Sequence, residues 1–310
     1  MATKEELQAC LVALETERKE VQKRHLIPLL GLVIAIALSA LDLQKFGALL
    51  GIGVAAYGAW TIGKKKSAYR KRYKSEIVGQ IVQNFNPDWK FFPNRGIGRD
   101  MFRKSGLFKK GDRYSEEDLI EGQLESTAFL CSEVHTEERK QRRVSTKNGS
   151  RTETTWETIF QGLFFHADCN KHFQGHTIVI PDKLEKFLGR FGNALQKFQQ
   201  SMPLVRMEDP RFERAFAVHS TNDQEARYLI TPALMETMLL LRSKLGAGVR
   251  FAFVDGRICC AIPVNRDLFE PRVWRSGVNM DDVALMERMI ALNSKLIESL
   301  DLNTRIWTKE

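Results

Sequence analysis

Three patterns of apolar and polar positions alternate along this chain of 310 residues. The first is a pair of unbroken apolar runs, 26–41 and 46–63, separated by four residues and free of ionisable side chains. As helices they reach roughly 24 Å and roughly 27 Å. A hydrocarbon core is about 30 Å thick, and snorkelling flanks or a thinned bilayer absorb the shortfall. Neither run has a polar face, so a membrane hairpin is expected rather than a buried hairpin of a soluble protein. A re-entrant hairpin is the main alternative. A secretory signal ending near Ala40 fits poorly, because its charged lead of 25 residues is long and a second apolar run follows at once.

The second pattern has a period near 3.6. Leu7, Leu11, Leu14 and Val21 lie at helical spacing among paired charges, predicting an amphipathic helix on the membrane surface or against the stalk. Residues 64–85 continue the second apolar run as a basic helical stalk that ends before Pro87. Asp182 and Glu185 are spaced as a capping box after Pro181, and Leu184, Phe187, Leu188, Phe191, Leu195 and Phe198 give the helix behind it one apolar face. Thr231-Pro232 starts a further helix with Leu234, Met238, Leu241 and Leu245, stopped by Gly246. A last helix runs from about Met280 to Leu300 with Val283, Met286, Ile290 and Leu296.

The third pattern is strand-like. Residues 127–138 and 153–167 read as two long strands joined by a turn at Asn148-Gly149. Strands are also expected at 176–180 and 212–219, and a hairpin at 249–264 turns on Asp255-Gly256. Residues 86–125 read as irregular, with a helical turn near 116–120. Segregated hairpins and helices, without βαβ repeats, indicate α+β. The expected organisation is a juxtamembrane helix (1–25), a transmembrane helical hairpin (26–63), a basic stalk (64–85), an irregular linker (86–125) and a cytoplasmic domain of antiparallel strands and amphipathic helices (126–310).

Charge sharpens this picture. The net charge is +9, and seven of those charges come from Lys64, Lys65, Lys66, Arg70, Lys71, Arg72 and Lys74, with no acid among them. Residues 1–25 carry five basic and five acidic side chains. Basic flanks outside both runs place the two ends of the hairpin in the cytoplasm. The cluster reads as a topology determinant that touches anionic lipid headgroups, each charge contributing about 1 kcal/mol. No nucleic-acid module accompanies it. Small residues recur every fourth position, as Gly31, Ala35 and Ser39 in the first run and Gly47, Gly51, Ala55 and Ala59 in the second. Each set shares a helix face, and the two stripes are expected to meet inside the hairpin. Five cysteines, two of them the adjacent Cys259 and Cys260, suit a reducing compartment.

Several stretches resemble a bacterial membrane protein family catalogued as domain of unknown function 3137. They are SGLF from Ser105, EDLIEG from Glu117, Ser132-Glu133, FQGLFFHADCNKHFQGHTIVIPD from Phe160, FAVHSTNDQEARYLITP from Phe216 and FAFVDGRICCAI from Phe251. The resemblance runs from about residue 66 to 275. It implies the architecture, the bacterial inner membrane and, as partner, a LemA-type membrane protein. It implies no activity and no cofactor.

Candidate chemistry is sparse. His166, Asp168, Cys169, His172 and His176 form the densest group of ligand-type residues, and His166, His172 and His176 could hold zinc with one position open. The spacing matches no closed zinc signature, and polar residues flanking a strand end explain it as well. Cys131 and His135, four residues apart on a strand, are separated by about 13 Å and cannot form a thiol–imidazole pair. Asp223 and Arg227 are spaced as an ordinary i,i+4 ion pair. The expected function is a protein-binding scaffold or adaptor at the inner membrane, without catalysis or cofactor, using a sheet edge or the last helix. The alternative is a membrane-tethered metal-dependent hydrolase built on the 166–176 cluster.

Overall fold

The computed structural model describes residues 4–39, 44–146, 149–169, 173, 175–182, 201–264, 266–300 and 302. They form a mixture of helices and antiparallel sheet divided into two compact units. The first comprises residues 1–87 and 269–289, and the second residues 88–268 and 290–310.

The first unit begins with α1 (Lys4–Arg24), α2 (Leu26–Ser39) and α3 (Gln44–Tyr73), and α3 runs through a π-helical turn (Lys74–Val78) into α4 (Gly79–Phe85). α1 packs on α3 and the π-helical turn, burying Leu7, Leu11, Leu14 and Val21, while Tyr69, Tyr73, Ile77 and Val78 are buried in the stalk. The alternatives left open for the amphipathic segment thus resolve to the stalk. α2 and α3 pack side by side. Their contact brings backbones together, since a Cβ added at Gly31 would stand 2.9 Å from the Gly51 carbonyl oxygen. One added at Gly51 would stand 2.7 Å from the Ala35 Cβ.

The small-residue stripes need two amendments. Ala59 is exposed, and Gly58 takes its place against Pro28, whose Cδ lies 2.8 Å from where a Cβ of residue 58 would stand. A four-residue repeat drifts off a face that returns every 3.6 residues, which favours the residue one step earlier. The side chain of Ser39 lies outside the described residues.

The second unit is built on a nine-stranded antiparallel sheet in the order β1-β2-β3-β4-β9-β8-β5-β7-β6. The strands are β1 (Lys90–Phe92), β2 (Arg113–Leu124), β3 (Thr127–Thr146), β4 (Gly149–Asp168), β5 (His176–Pro181), β6 (Leu204–Val205), β7 (Phe216–Ser220), β8 (Arg250–Val254) and β9 (Arg257–Pro263). Opposed residues share a face, so Phe164, Cys259, Ala252 and Ile178 lie on one side, buried with Ile97, Phe102 and Leu107. Cys131, Phe165, Cys260, Phe251, Val179 and Val218 line the other, also buried. Cys259 and Cys260 therefore serve opposite faces of the sheet.

The helices are α5 (Arg99–Lys104), α6 (Pro210–Ala215), α7 (Asp223–Leu229), α8 (Pro232–Leu245) and α9 (Met280–Ser299), the last divided between the units. Asn222 caps α7, and Thr231 caps α8 by accepting from the Leu234 N–H at 3.3 Å.

Three expectations are corrected. The strands expected at 127–138 and 153–167 are longer, β3 running to Thr146 and β4 starting at Gly149, because polar residues at alternating positions pair across the ribbon without a buried face. The stretch 86–125 is not irregular and has no helical turn at 116–120, for it contributes β1, α5 and the twelve residues of β2. β2 carries a bulge between Glu117 and Ile120, with Asp118 at φ 59°. That extra step breaks the period-2 alternation that would have marked a strand. Residues 212–219 are not one strand, because Asp209 caps α6 and Pro210 opens it, leaving β7 to begin at Phe216. The capping-box helix behind Asp182 and the turn at Asn148 lie outside the described residues.

Candidate functional site

Within the first unit, the outward faces of α2 and α3 are apolar. Leu29, Leu30, Leu32, Val33, Ile36, Leu49, Leu50 and Ile52 are all at least half exposed. Among the described residues, two helices are long and apolar enough to cross a membrane, and no more than 22% of either apolar window is buried. A core helix of a soluble protein would hide such side chains.

Aromatic groups gather where the apolar run gives way to charge. Gly58 lies against Ile27 and Pro28, so Trp60 stands near the level of His25. The indole of Trp274, 68% exposed, meets the His25 ring edge-on at 4.6 Å. Tyr57 and Trp60 are exposed beside each other, and the Lys64 ammonium sits 5.6 Å from the Trp60 ring. Amphipathic rings next to lysines are the usual arrangement at a membrane–water interface.

Trp274 is held there by a returning segment of chain. The Val273 carbonyl accepts from Arg18 Nη1 at 2.8 Å and from Gln22 Nε2 at 2.9 Å. The Gly277 N–H donates to Glu15 at 3.0 Å, and Arg18 and Glu15 are bonded to each other. Glu15 is held below the usual carboxylate range first by its bond from Arg18 and further by that of Gly277. Burial pushes the Tyr69 hydroxyl of the stalk up to about 12.

The basic cluster divides. The Lys74 side chain is only 3% exposed and its ammonium lies 2.6 Å from Glu270, which also accepts from Arg70 Nε at 2.6 Å. Lys74 is therefore no headgroup contact: the π-helical turn that starts with it faces it inward. Arg72 pairs with Glu17 and with Glu76, and Lys65 pairs with Glu20 at 3.2 Å. Lys64, Lys66 and Lys71 remain exposed without a carboxylate partner among the described residues. Sequence distance hid Glu270, which is 200 residues from Arg70.

In the second unit the proposed zinc ligands are not brought together. His166 is on β4 opposite Cys259, and His176 is on β5 opposite Val254. β9 and β8 lie between those strands, a separation of roughly 14 Å, whereas zinc needs its nitrogens about 2 Å from one ion. His166 is buried, and burial, then the Arg257 charge, lower its pKa to about 4. His176 Nε2 is bonded to the Ser105 carbonyl oxygen at 2.9 Å. His172 lies outside the described residues. The Cys131 thiol is buried and pushed up to about 12, which leaves no thiolate for nucleophilic work. Asp223 and Arg227 form the ordinary ion pair at 3.1 Å.

Several of the stretches that carry the family resemblance hold the fold. In SGLF, Gly106 adopts φ 65° with the His176 ring 2.6 Å from where a Cβ would stand. The next carbonyl, of Leu107, accepts from Arg250 Nη1 at 2.9 Å, and Phe108 lies 4.2 Å from that guanidinium. Ser132 accepts from the Ile97 N–H at 3.0 Å, and Glu133 accepts from the Leu268 N–H at 2.7 Å. Gly162 presses on the Ile262 carbonyl, where any Cβ would collide at 2.1 Å. Each of these contacts fixes a turn or a layer of the sheet unit.

Residues 158–302 match the family described as Protein of unknown function (DUF3137). The match contains the stretches from Phe160 onward that carry the resemblance, while SGLF and EDLIEG precede it. The crystal structure of the mycobacterial trehalose monomycolate transport factor A aligns over 76% of this chain and 98% of its own, with 9% identity and a TM-score of 0.38. No curated protein matches the chain.

Proposed function

We propose that this DUF3137-matching protein is anchored in the bacterial inner membrane by the α2–α3 hairpin and holds its sheet unit in the cytoplasm as a binding scaffold. The observation that carries the anchor is the hairpin's construction, with glycines pressed together inside and large apolar side chains exposed outside. Water penalises that arrangement, while lipid accepts it and leaves close backbone packing as the attraction between helices. Tyr57, Trp60 and Trp274 mark the cytoplasmic interface, and Lys64, Lys66 and Lys71 lie on its charged side. The scaffold reading rests on motifs that build layers and turns. Its partner class is a membrane protein, the LemA type being the one the family resemblance suggests.

The test is purification of the full chain from membranes in mild detergent, with mass spectrometry and metal analysis on one sample. A stoichiometric protein partner supports the scaffold. A solitary, folded chain carrying one zinc overturns it.

A further inference from the structure

β3 and β4 are each 20 residues long, yet the sheet accompanies only part of them. β2 follows β3 no further than Glu137, and β9 follows β4 no nearer the tip than Gly162. Beyond those points, residues 138–146 and 149–157 pair with each other, forming a two-stranded arm roughly 30 Å long. A two-stranded ribbon is marginally stable alone, and both its edges present unpaired backbone groups. The outermost strands of the sheet, β1 and β6, have only three and two residues, so the arm offers the long open edges among the described residues.

The arm's two faces differ in charge. Glu138, Lys140 and Arg142 stand opposite Glu157, Thr155 and Glu153, and Lys140 is ion-paired to Glu157 while Glu138 is paired to Lys109. Arg151, opposite Val144, completes that face with three basic and three acidic side chains, so it is balanced. On the other, Arg139, Gln141 and Arg143 stand opposite Trp156, Thr154 and Thr152, with no carboxylate among them. At its root Arg113 covers the Trp156 ring at 3.4 Å, Glu137 lies 3.8 Å from Arg113, and Asp112 accepts from the Arg139 backbone N–H. Arg143 Nε donates to the Ser150 hydroxyl at 3.1 Å. Arg139 and Arg143 are exposed, and neither guanidinium has a carboxylate partner among the described residues.

We infer that this arm docks an extended acidic segment of a partner polypeptide, an inference that rests on the scaffold reading. A strand added to the open edge gains main-chain hydrogen bonds. Its alternate side chains return to one face every second residue, so carboxylates spaced by two or four positions meet Arg139 and Arg143. Guanidinium groups bind carboxylates in paired hydrogen bonds. A nucleic acid has no peptide backbone with which to extend the strand edge in register.

The experiment uses the full-length protein in detergent and a dye-labelled decapeptide alternating Glu and Thr. Controls are the matching Lys–Thr peptide and a single-stranded DNA of similar charge. The acidic peptide is expected to bind, with affinity reduced about tenfold in the double variant R139E/R143E. R142E/R151E makes the same charge change on the opposite face and is expected to cost less than about threefold. Absence of acidic-peptide binding, equal losses in both variants, or tighter binding of the DNA overturns the inference. A natural partner that R139E/R143E still retains also overturns it while leaving the scaffold standing. A wild-type chain that carries no partner, yet binds the peptide, removes the scaffold and not the arm.

Discussion

In the α2–α3 hairpin the residues pressed together are small, Gly31, Gly51, Ala35 and Gly58, while Leu29, Ile36, Leu49 and Trp60 are exposed. In the nine-stranded sheet the arrangement is reversed, with Phe164, Phe165, Phe251 and Phe253 wholly buried. In water, hiding large apolar surface contributes about 25 cal/mol per Å². In lipid that gain vanishes between helices, and what remains is close packing of backbones. Under the proposed membrane anchor, the same residue types report which solvent each unit is built for.

The largest effect belongs to the sheet. Phe164→Ala is expected to destabilise the second unit by about 3–5 kcal/mol in chemical denaturation. Next comes pH. Buried His166 keeps a folded pKa near 4 against an ordinary 6.5, so between those values the unfolded chain binds the extra proton. Stability is then full above about pH 6.5 and falls by about 3 kcal/mol on acidification to about pH 4. His166→Gln should remove that part of the pH slope, as measured by denaturation of wild type and variant at both pH values. An unchanged slope would place the acid sensitivity elsewhere.

In the hairpin, Gly51→Leu drives a side chain into Ala35 and the Gly31 carbonyl, costing about 1–3 kcal/mol. Inter-helix cross-linking from cysteines placed in α2 and α3 would show the separation. Leu49→Ala sharpens the contrast most simply. It removes a large apolar side chain, as Phe164→Ala does, yet should change thermal stability by less than about 0.5 kcal/mol. A loss comparable to that of Phe164→Ala would mean that a protein surface, rather than lipid, covers the hairpin.

Much of this was readable in the chain. The apolar runs, α8, α9 and the inner parts of β3 and β4 each repeat one period over enough residues to be unmistakable, whereas the polar stretches 139–146 and 149–152 read as the connecting turn and yet extend both strands. β2 escaped notice because its bulge at Asp118 interrupts the alternation, and α6 because six residues carry too little periodicity beside the β-rich stretch that follows. The candidate sites were less legible still. The partner of Lys74, Glu270, is brought in by the segment that returns to the stalk, and the distance between His166 and His176 depends on two strands drawn from residues 250–263. The arm's asymmetry likewise appears only when register assigns Arg139 and Lys140 to opposite faces.

The most direct test of the central claim is the side of the membrane on which each end of the hairpin lies. Lys45→Cys and Ser67→Cys, made singly in the full chain with Cys10 replaced by Ser, would be treated with a membrane-impermeant maleimide in intact cells and after lysis. The account predicts that Lys45→Cys reacts in intact cells and Ser67→Cys only after lysis. Reaction of both only after lysis would contradict a spanning hairpin.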